Sequence, residues 1–169
     1  SLLGEGTDWQ NEIFQQALIQ SHQVSISGGR DRSTYFFSAG YLNQEGMVIG
    51  SGFDRYTARL NLDTRAKKWL KLGVNLAFSR TEETITLNDD QEGVISRALL
   101  QGPDVPVRNP DGTFGGPPAN APEAPQSNPV AQALQIRNEV FRNKLIGSVF
   151  GEIEFTPWLT FRSEMNGDF

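Results

Sequence analysis

Residues 69–79 read WLKLGVNLAFS. Leu70, Leu72, Val74, Leu76 and Phe78 alternate without a break with Lys71, Gly73, Asn75, Ala77 and Ser79. A period of two places the first set on one face of an extended strand and the second set on the other. One face is apolar throughout, and the other carries a cation, an amide and small residues.

The same pattern recurs on both sides of this stretch. Upstream, Tyr56, Ala58, Leu60 and Leu62 alternate with Arg55, Thr57, Arg59, Asn61 and Asp63. Val24 and Ile26 alternate with Gln23, Ser25 and Ser27. Residues 34–45 follow less tidily: Tyr35, Phe37, Ala39 and Tyr41 share a face, while Phe36 and Leu42 interrupt the other. Downstream, Leu145, Val149, Ile153 and Phe155 stand with Gly147 and Gly151 opposite Ser148, Glu152 and Glu154. Leu159, Phe161, Met165 and Phe169 then oppose Thr160, Arg162, Glu164, Asn166 and Asp168. In none of these segments does a charge fall on the apolar face. The fold class is all-β, with about six antiparallel strands.

Alternation alone is equally the mark of a soluble β-sandwich, which turns one face of each strand to a core and the other to solvent. Two features favour a transmembrane barrel. Several strands run for about ten residues or more, against the usual five or six of globular sheets, and a tilted strand needs about 9–11 to cross a bilayer. The connections also alternate in length. Arg30 to Ser33, Thr64 to Lys68 and Thr156-Pro157-Trp158 are short, whereas Gln44 to Phe53 and Thr81 to about Arg142 are long. Short turns at one rim and long loops at the other characterise outer-membrane barrels. Trp69 and Trp158 each follow a short turn, with Tyr35 and Phe155 close to one, as an interfacial aromatic belt requires.

Composition narrows the function classes. The 169 residues carry a net charge of −5, and the basic residues are dispersed, which argues against a nucleic-acid partner. There is no cysteine, so disulfides, thiol catalysis and cysteine-zinc sites are excluded. His22 is the only histidine, too few for a zinc site or a histidine-based triad. No apolar run approaches the roughly 18 residues of a transmembrane helix. The mean hydropathy of −0.41 is compatible with a barrel wall, which is apolar on one side only. The adjacent carboxylates Glu82-Glu83 and Asp89-Asp90 lack the opposed placement of a glycosidase pair, and 89–92 lacks the spacing of a calcium loop. Gly28-Gly29 precedes no helix and reads as turn glycines, not a dinucleotide site. No catalytic, cofactor or metal residue is expected.

Residues 81–142 break the alternation. Residues 88–93 are acidic and turn-like, and Val94, Ile95, Ala98 and Leu99 predict a short helix ending before Gly102-Pro103. Asn109-Pro110-Asp111-Gly112 is a tight-turn sequence. Gly115 to Pro129 is irregular in composition, and Val130, Ala131 and Leu134 open another short helix.

Several blocks together resemble the early barrel strands of SusC/RagA-family TonB-dependent outer-membrane proteins. They are TDWQNEIF at 7–14, HQVSISGG at 22–29, TYFFSAGYLNQEG at 34–46, FDRY at 53–56, NLD at 61–63 and WLKLGVNLAFS at 69–79. PDVPVRNPDGTF at 103–114 and NPVAQAL at 128–134 match the habits of the long loop. The likeness covers nearly the whole chain, and the order and spacing of the blocks carry it. It implies a barrel of about twenty-two strands plugged by an N-terminal domain. It also implies a SusD-like surface lipoprotein as lid, TonB as the source of energy, and an oligosaccharide or peptide as cargo. On that basis the chain is expected to be a fragment of the barrel in an outer membrane of a Gram-negative bacterium. It would comprise an extracellular segment at 1–21, strands at 22–80, a long extracellular loop at 81–142 and strands at 143–169, ending within a strand at Phe169. Arg55, Arg59, Asn61, Lys71, Asn75, Glu152 and Arg162 would face the lumen. Trp9, Arg108, Asp111 and Phe114 would offer stacking and hydrogen bonds to a ligand or lid. Two other readings remain open at this stage: a passive outer-membrane porin and a soluble β-sheet carbohydrate-binding module.

Overall fold

The computed structural model describes residues 6–87, 92–116 and 128–169. It holds six strands: β1 (Ile19–Arg30), β2 (Ser33–Glu45), β3 (Gly52–Lys67), β4 (Leu70–Ile85), β5 (Asn138–Thr156) and β6 (Leu159–Asp168). Three short helices accompany them: α1 (Trp9–Ile13), α2 (Val94–Leu100) and α3 (Pro129–Gln135). The strands form one sheet in the order β1-β2-β3-β4-β5-β6, so each pairs only with its neighbours in sequence. Two-residue turns join β1 to β2, β3 to β4 and β5 to β6. Such tight joins require antiparallel neighbours. In the first of them Asp31 adopts a φ of 48°, which a short polar side chain tolerates. The turn expected at Thr64 to Lys68 lies at Lys68-Trp69 instead, because the ladder continues through Lys67. Ladder hydrogen bonds are made by the backbone, so strands outlast the hydrophobic alternation that reveals them. For the same reason β4 runs on to Ile85 and β5 begins at Asn138, past the expected limits at 80 and 143.

The chain divides into two compact units. The sheet unit comprises 20–43, 54–82 and 141–169. Its registers keep like with like. Between β5 and β6, Val149 faces Met165 and Ile153 faces Phe161 on one side, while Glu152 faces Arg162 and Ser148 faces Asn166 on the other. The apolar side is uncovered: Val149 is 56% exposed and Met165 79%. Phe150 is the sole buried hydrophobic residue among the described residues of this unit. A sandwich would lay a second layer over that apolar face, and the described residues supply none. The sheet is a wall, apolar on one side and charged on the other.

The second unit gathers 6–19, 44–53 and 83–140. The long connection expected at Gln44 to Phe53, inside the strand region 22–80, thus belongs with the helices. Its core consists of Trp9, Ile13, Val48, Val94, Ala98, Val105, Val130 and Ala133. The segment around α1 is sewn to two others. Ile49 donates its amide to Ile13 O and Gln15 to Met47 O, while Thr7 N and Oγ1 donate to Pro103 O and Val105 O. Gly50, at φ +77°, lies against the carbonyl of Ala133 so closely that a Cβ would collide with it.

Capping explains where these short helices begin. Asp8 accepts from Asn11 N at 3.2 Å. Asn128, 4% exposed, accepts from Val130 N and Ala131 N and donates through Nδ2 to Val107 O and Gly115 O. Pro129 follows at the first helical position, where its missing N–H costs nothing. The expected helices near 94–101 and 129–136 are therefore present, and α1 is an addition. The acidic turn at 88–91 and most of the proline-rich stretch, 117–127, lie outside the described residues.

Candidate functional site

The charged face of the sheet carries the polar chemistry of the strand region. At its centre Phe150 lies over Gly73, where a Cβ would collide with the ring. The glycine provides a flat floor, and the aromatic ring is only 5% exposed despite sitting on the polar face. Two cations flank it: the Arg162 guanidinium carbon is 4.0 Å from the ring centroid and Lys71 Nζ is 5.5 Å away. Each cation also meets carboxylates. Arg162 contacts Glu164 at 3.1 Å and Glu152 at 3.7 Å, and Lys71 stands 4.0 Å from Asp63. Arg65 pairs with Glu154 at 3.5 Å, and Lys144 with Asp168 at 3.2 Å. Partly exposed pairs of this kind contribute about 0–1 kcal/mol each. Their effect is to neutralise the face and hold its side chains in place. Asn75 donates to Ser148 Oγ at 3.1 Å, beside a hollow also lined by Arg59, Asn61 and Asn166.

Strand alternation keeps Arg55, Arg59 and Asn61 on the side of Asp63. The seven residues expected on one face, Arg55, Arg59, Asn61, Lys71, Asn75, Glu152 and Arg162, thus share it. Arg59 lines a second hollow with Gln23, Ser38, Gly40, Thr57, Ser79 and Lys144, and Arg55 borders another with Gly40 and Thr57.

The four residues expected to meet a ligand or lid are not brought together as a site. Trp9 corrects its expectation outright. It is 3% exposed, and its indole Nε1 donates to Gly102 O at 2.9 Å, so both its apolar body and its polar handle serve the helix-unit core. Arg108, Asp111 and Phe114 build a single turn. Arg108 and Phe114 form an antiparallel bridge, the guanidinium stacks 4.2 Å from the Phe114 centroid, and Nη1 donates to Gly112 O. Asp111 accepts from Thr113 N at 3.0 Å and Thr113 Oγ1 at 2.6 Å. Those two bonds hold its carboxyl below the usual carboxylate range. Phe114 packs partly buried against the core.

A meander with one apolar and one charged face finds direct counterparts among known proteins. No protein-family model matches the sequence. The chain is 34% identical over 167 residues to TonB-dependent receptor P26 of Formosa agariphila, a match covering 96% of this chain and 16% of the relative. It is 31% identical to TonB-dependent receptor SusC of Bacteroides thetaiotaomicron, covering 96% of this chain and 18% of that protein. The chain belongs to the SusC/RagA family of TonB-dependent outer-membrane proteins.

Among solved structures, the RagAB peptide transporter superposes with a TM-score of 0.73 at 24% identity, over 98% of this chain and 19% of that one. The RagAB peptide importer in its open-open state gives 0.69 at 23%, over the same shares. At that identity the likeness establishes the fold. The SusC/RagA-type chain spans less than a fifth of the length of the curated relatives it matches, and its strands are those of an unclosed portion of a barrel wall. Within this SusC/RagA wall, sequence reasoning missed Phe150. It lies on the polar parity of β5, between Val149 and Gly151, and was not singled out. The usable signal is Gly73 on the polar parity of β4: a glycine there leaves a gap that an aromatic ring on the next strand can fill.

Proposed function

We propose that the full-length protein containing this chain imports an oligosaccharide or peptide across the outer membrane of a Gram-negative bacterium. In this reading TonB supplies the energy and a SusD-like surface lipoprotein covers the mouth. The apolar face of the sheet meets lipid. Arg55, Arg59, Asn61, Lys71, Asn75, Glu152 and Arg162 face the lumen, against water or a plug. The supporting observation is the segregation of faces across six strands, with apolar pairs such as Ile153–Phe161 next to charged pairs such as Glu152–Arg162 on the opposite face. A wall between hydrocarbon and an aqueous lumen requires that arrangement.

The connections after β2 and β4 are assigned to the extracellular rim and the two-residue turns to the periplasmic one. The exposed turn held by Arg108, Asp111 and Phe114 is assigned to contact with lid or cargo, its internal bonds keeping it in one shape. The chain is assigned no enzymatic step, in keeping with its relatives being TonB-dependent receptors. Transport of the cognate nutrient in cells with and without functional TonB tests the reading. Uptake confined to TonB-competent cells is expected; equal uptake in both would leave a passive barrel.

A further inference from the structure

The cations of the charged face differ in their partners. Lys71, Arg65, Arg162 and Lys144 each have a carboxylate within 4.0 Å. Arg55 and Arg59 have no acidic partner, no hydrogen bond and no ring contact among the described residues. Both lie in the half of β3 nearer its long connection, whereas Asp63, Arg65, Lys71, Glu152 and Arg162 cluster toward the two-residue turns. The surroundings of the two arginines are shallow. Ser38, Gly40, Thr57 and Ser79 line the hollows beside them, and Gly40 lies so close to Thr57 Oγ1 that a Cβ would stand 2.8 Å from it. Small side chains leave both guanidinium groups exposed and add hydroxyl groups beside them.

We propose that Arg55 and Arg59 form a capture subsite for a cargo bearing repeated carboxylate groups. This rests on the reading of the charged face as lumenal. Four residues of extended strand set the two Cα atoms about 13 Å apart, which gives each guanidinium room to act on its own. Each guanidinium therefore takes its own carboxylate, in the forked geometry that arginine favours. An extended acidic oligomer satisfies both, whereas a single small anion satisfies one. With Lys71, Arg65, Arg162 and Lys144 neutralised by carboxylates, the two unpaired arginines leave a local positive potential that draws an anion. The hydroxyls of Ser38, Thr57 and Ser79 can donate to the same cargo between its charges.

The test uses the purified full-length transporter in detergent, where binding is measured without any contribution from TonB. Hexagalacturonate is titrated against neutral maltohexaose, and hexaglutamate against hexaglutamine, so that sugar and peptide sources of the carboxylate are read separately. The wild type should prefer the acidic member of at least one pair, and that preference should weaken with added salt. In Arg55→Gln/Arg59→Gln the acidic-to-neutral affinity ratio should fall by about tenfold. Arg55→Lys/Arg59→Lys, which keeps the charge, should retain part of the preference and serves where the glutamine variant fails to assemble. A wild type without acidic preference in either pair overturns the inference. A ratio unchanged in both double variants does so too, including the case in which only thermal stability falls, which would mean that the arginines serve another segment of the protein. TonB-independent uptake with an intact acidic preference would instead sink the import reading and leave this subsite standing.

Discussion

Replacing Val74 by arginine asks which face of the sheet meets hydrocarbon. On β4 the apolar side chains run from Leu70 to Phe78. At about 3.3 Å per residue this is roughly 26 Å along the strand. A tilt of about 40° reduces it to roughly 20 Å along the membrane normal, close to the apolar band of about 25 Å that outer-membrane barrels present. Val74 falls midway, Leu72 about 5 Å from the middle and Phe78 at the margin. Arginine should therefore cost about 2–4 kcal/mol at Val74, slightly less at Leu72, and about 0–1 kcal/mol at Phe78. Asn75→Arg, one residue away on the charged face, should cost no more than about 0.5 kcal/mol. Equilibrium unfolding of the full-length barrel in phospholipid vesicles, with denaturant titrations for each variant, measures all four. A flat series at Val74, Leu72 and Phe78, or an Asn75→Arg penalty matching that of Val74→Arg, would refute the assignment of faces.

Two more expectations concern the helix unit. Asn128→Ala removes the α3 cap, worth about 1 kcal/mol, and strips donors from the carbonyls of Val107 and Gly115 at about 1 kcal/mol each. Hydrogen exchange at the α3 amides should accelerate to match a loss of about 3 kcal/mol, and a change below about 1 kcal/mol would mean that water replaces the amide at little cost. Asp111, held ionised by Thr113, has a native carboxyl below its unfolded value, so its contribution to the turn is present above the ordinary carboxylate range and is lost as pH falls through the lowered native value. Carboxyl-carbon NMR titration should show that depression in the wild type and its reduction in Thr113→Val; identical titrations would show that the hydroxyl is irrelevant.

The sheet was largely legible because its physics is periodic. Leu70 to Phe78 and Leu159 to Phe169 show their two faces residue by residue, and the alternation of connection lengths orders the strands without knowledge of any contact. Strand ends were not legible: residues 81–85 show no alternation, yet the backbone ladder holds them. α1 escaped notice since five residues give little more than one turn of helical period, and its stability comes from packing Trp9 and Ile13 against Val48 and Val105, which are distant in sequence. Trp9 was misjudged for the same reason. An aromatic residue in an otherwise polar segment reads as exposed until the partner that buries it is known. That Arg55, Arg59, Asn61, Lys71, Asn75, Glu152 and Arg162 share a face was legible by parity alone, but the division between paired and unpaired cations was not, as Arg65–Glu154 joins residues 89 positions apart.

The uneven connections also bear on the order in which the wall assembles. Three of the strand pairings close over two residues, whereas β4 and β5 meet only after a connection on the order of fifty residues is brought round. That closure costs roughly 3 kcal/mol more in chain entropy than a tight hairpin, and it falls on a single seam. Packing Val94, Ala98, Val130 and Ala133 together with Trp9 and Val48 would offset it if it contracts the connection before β4–β5 bonds form. In that order of events the three segments that contribute to the unit would act as an assembly aid for the seam. Loosening its core should slow the zipping of β5 onto β4 while leaving the hairpins at Asp31, Lys68 and Pro157 as fast as before.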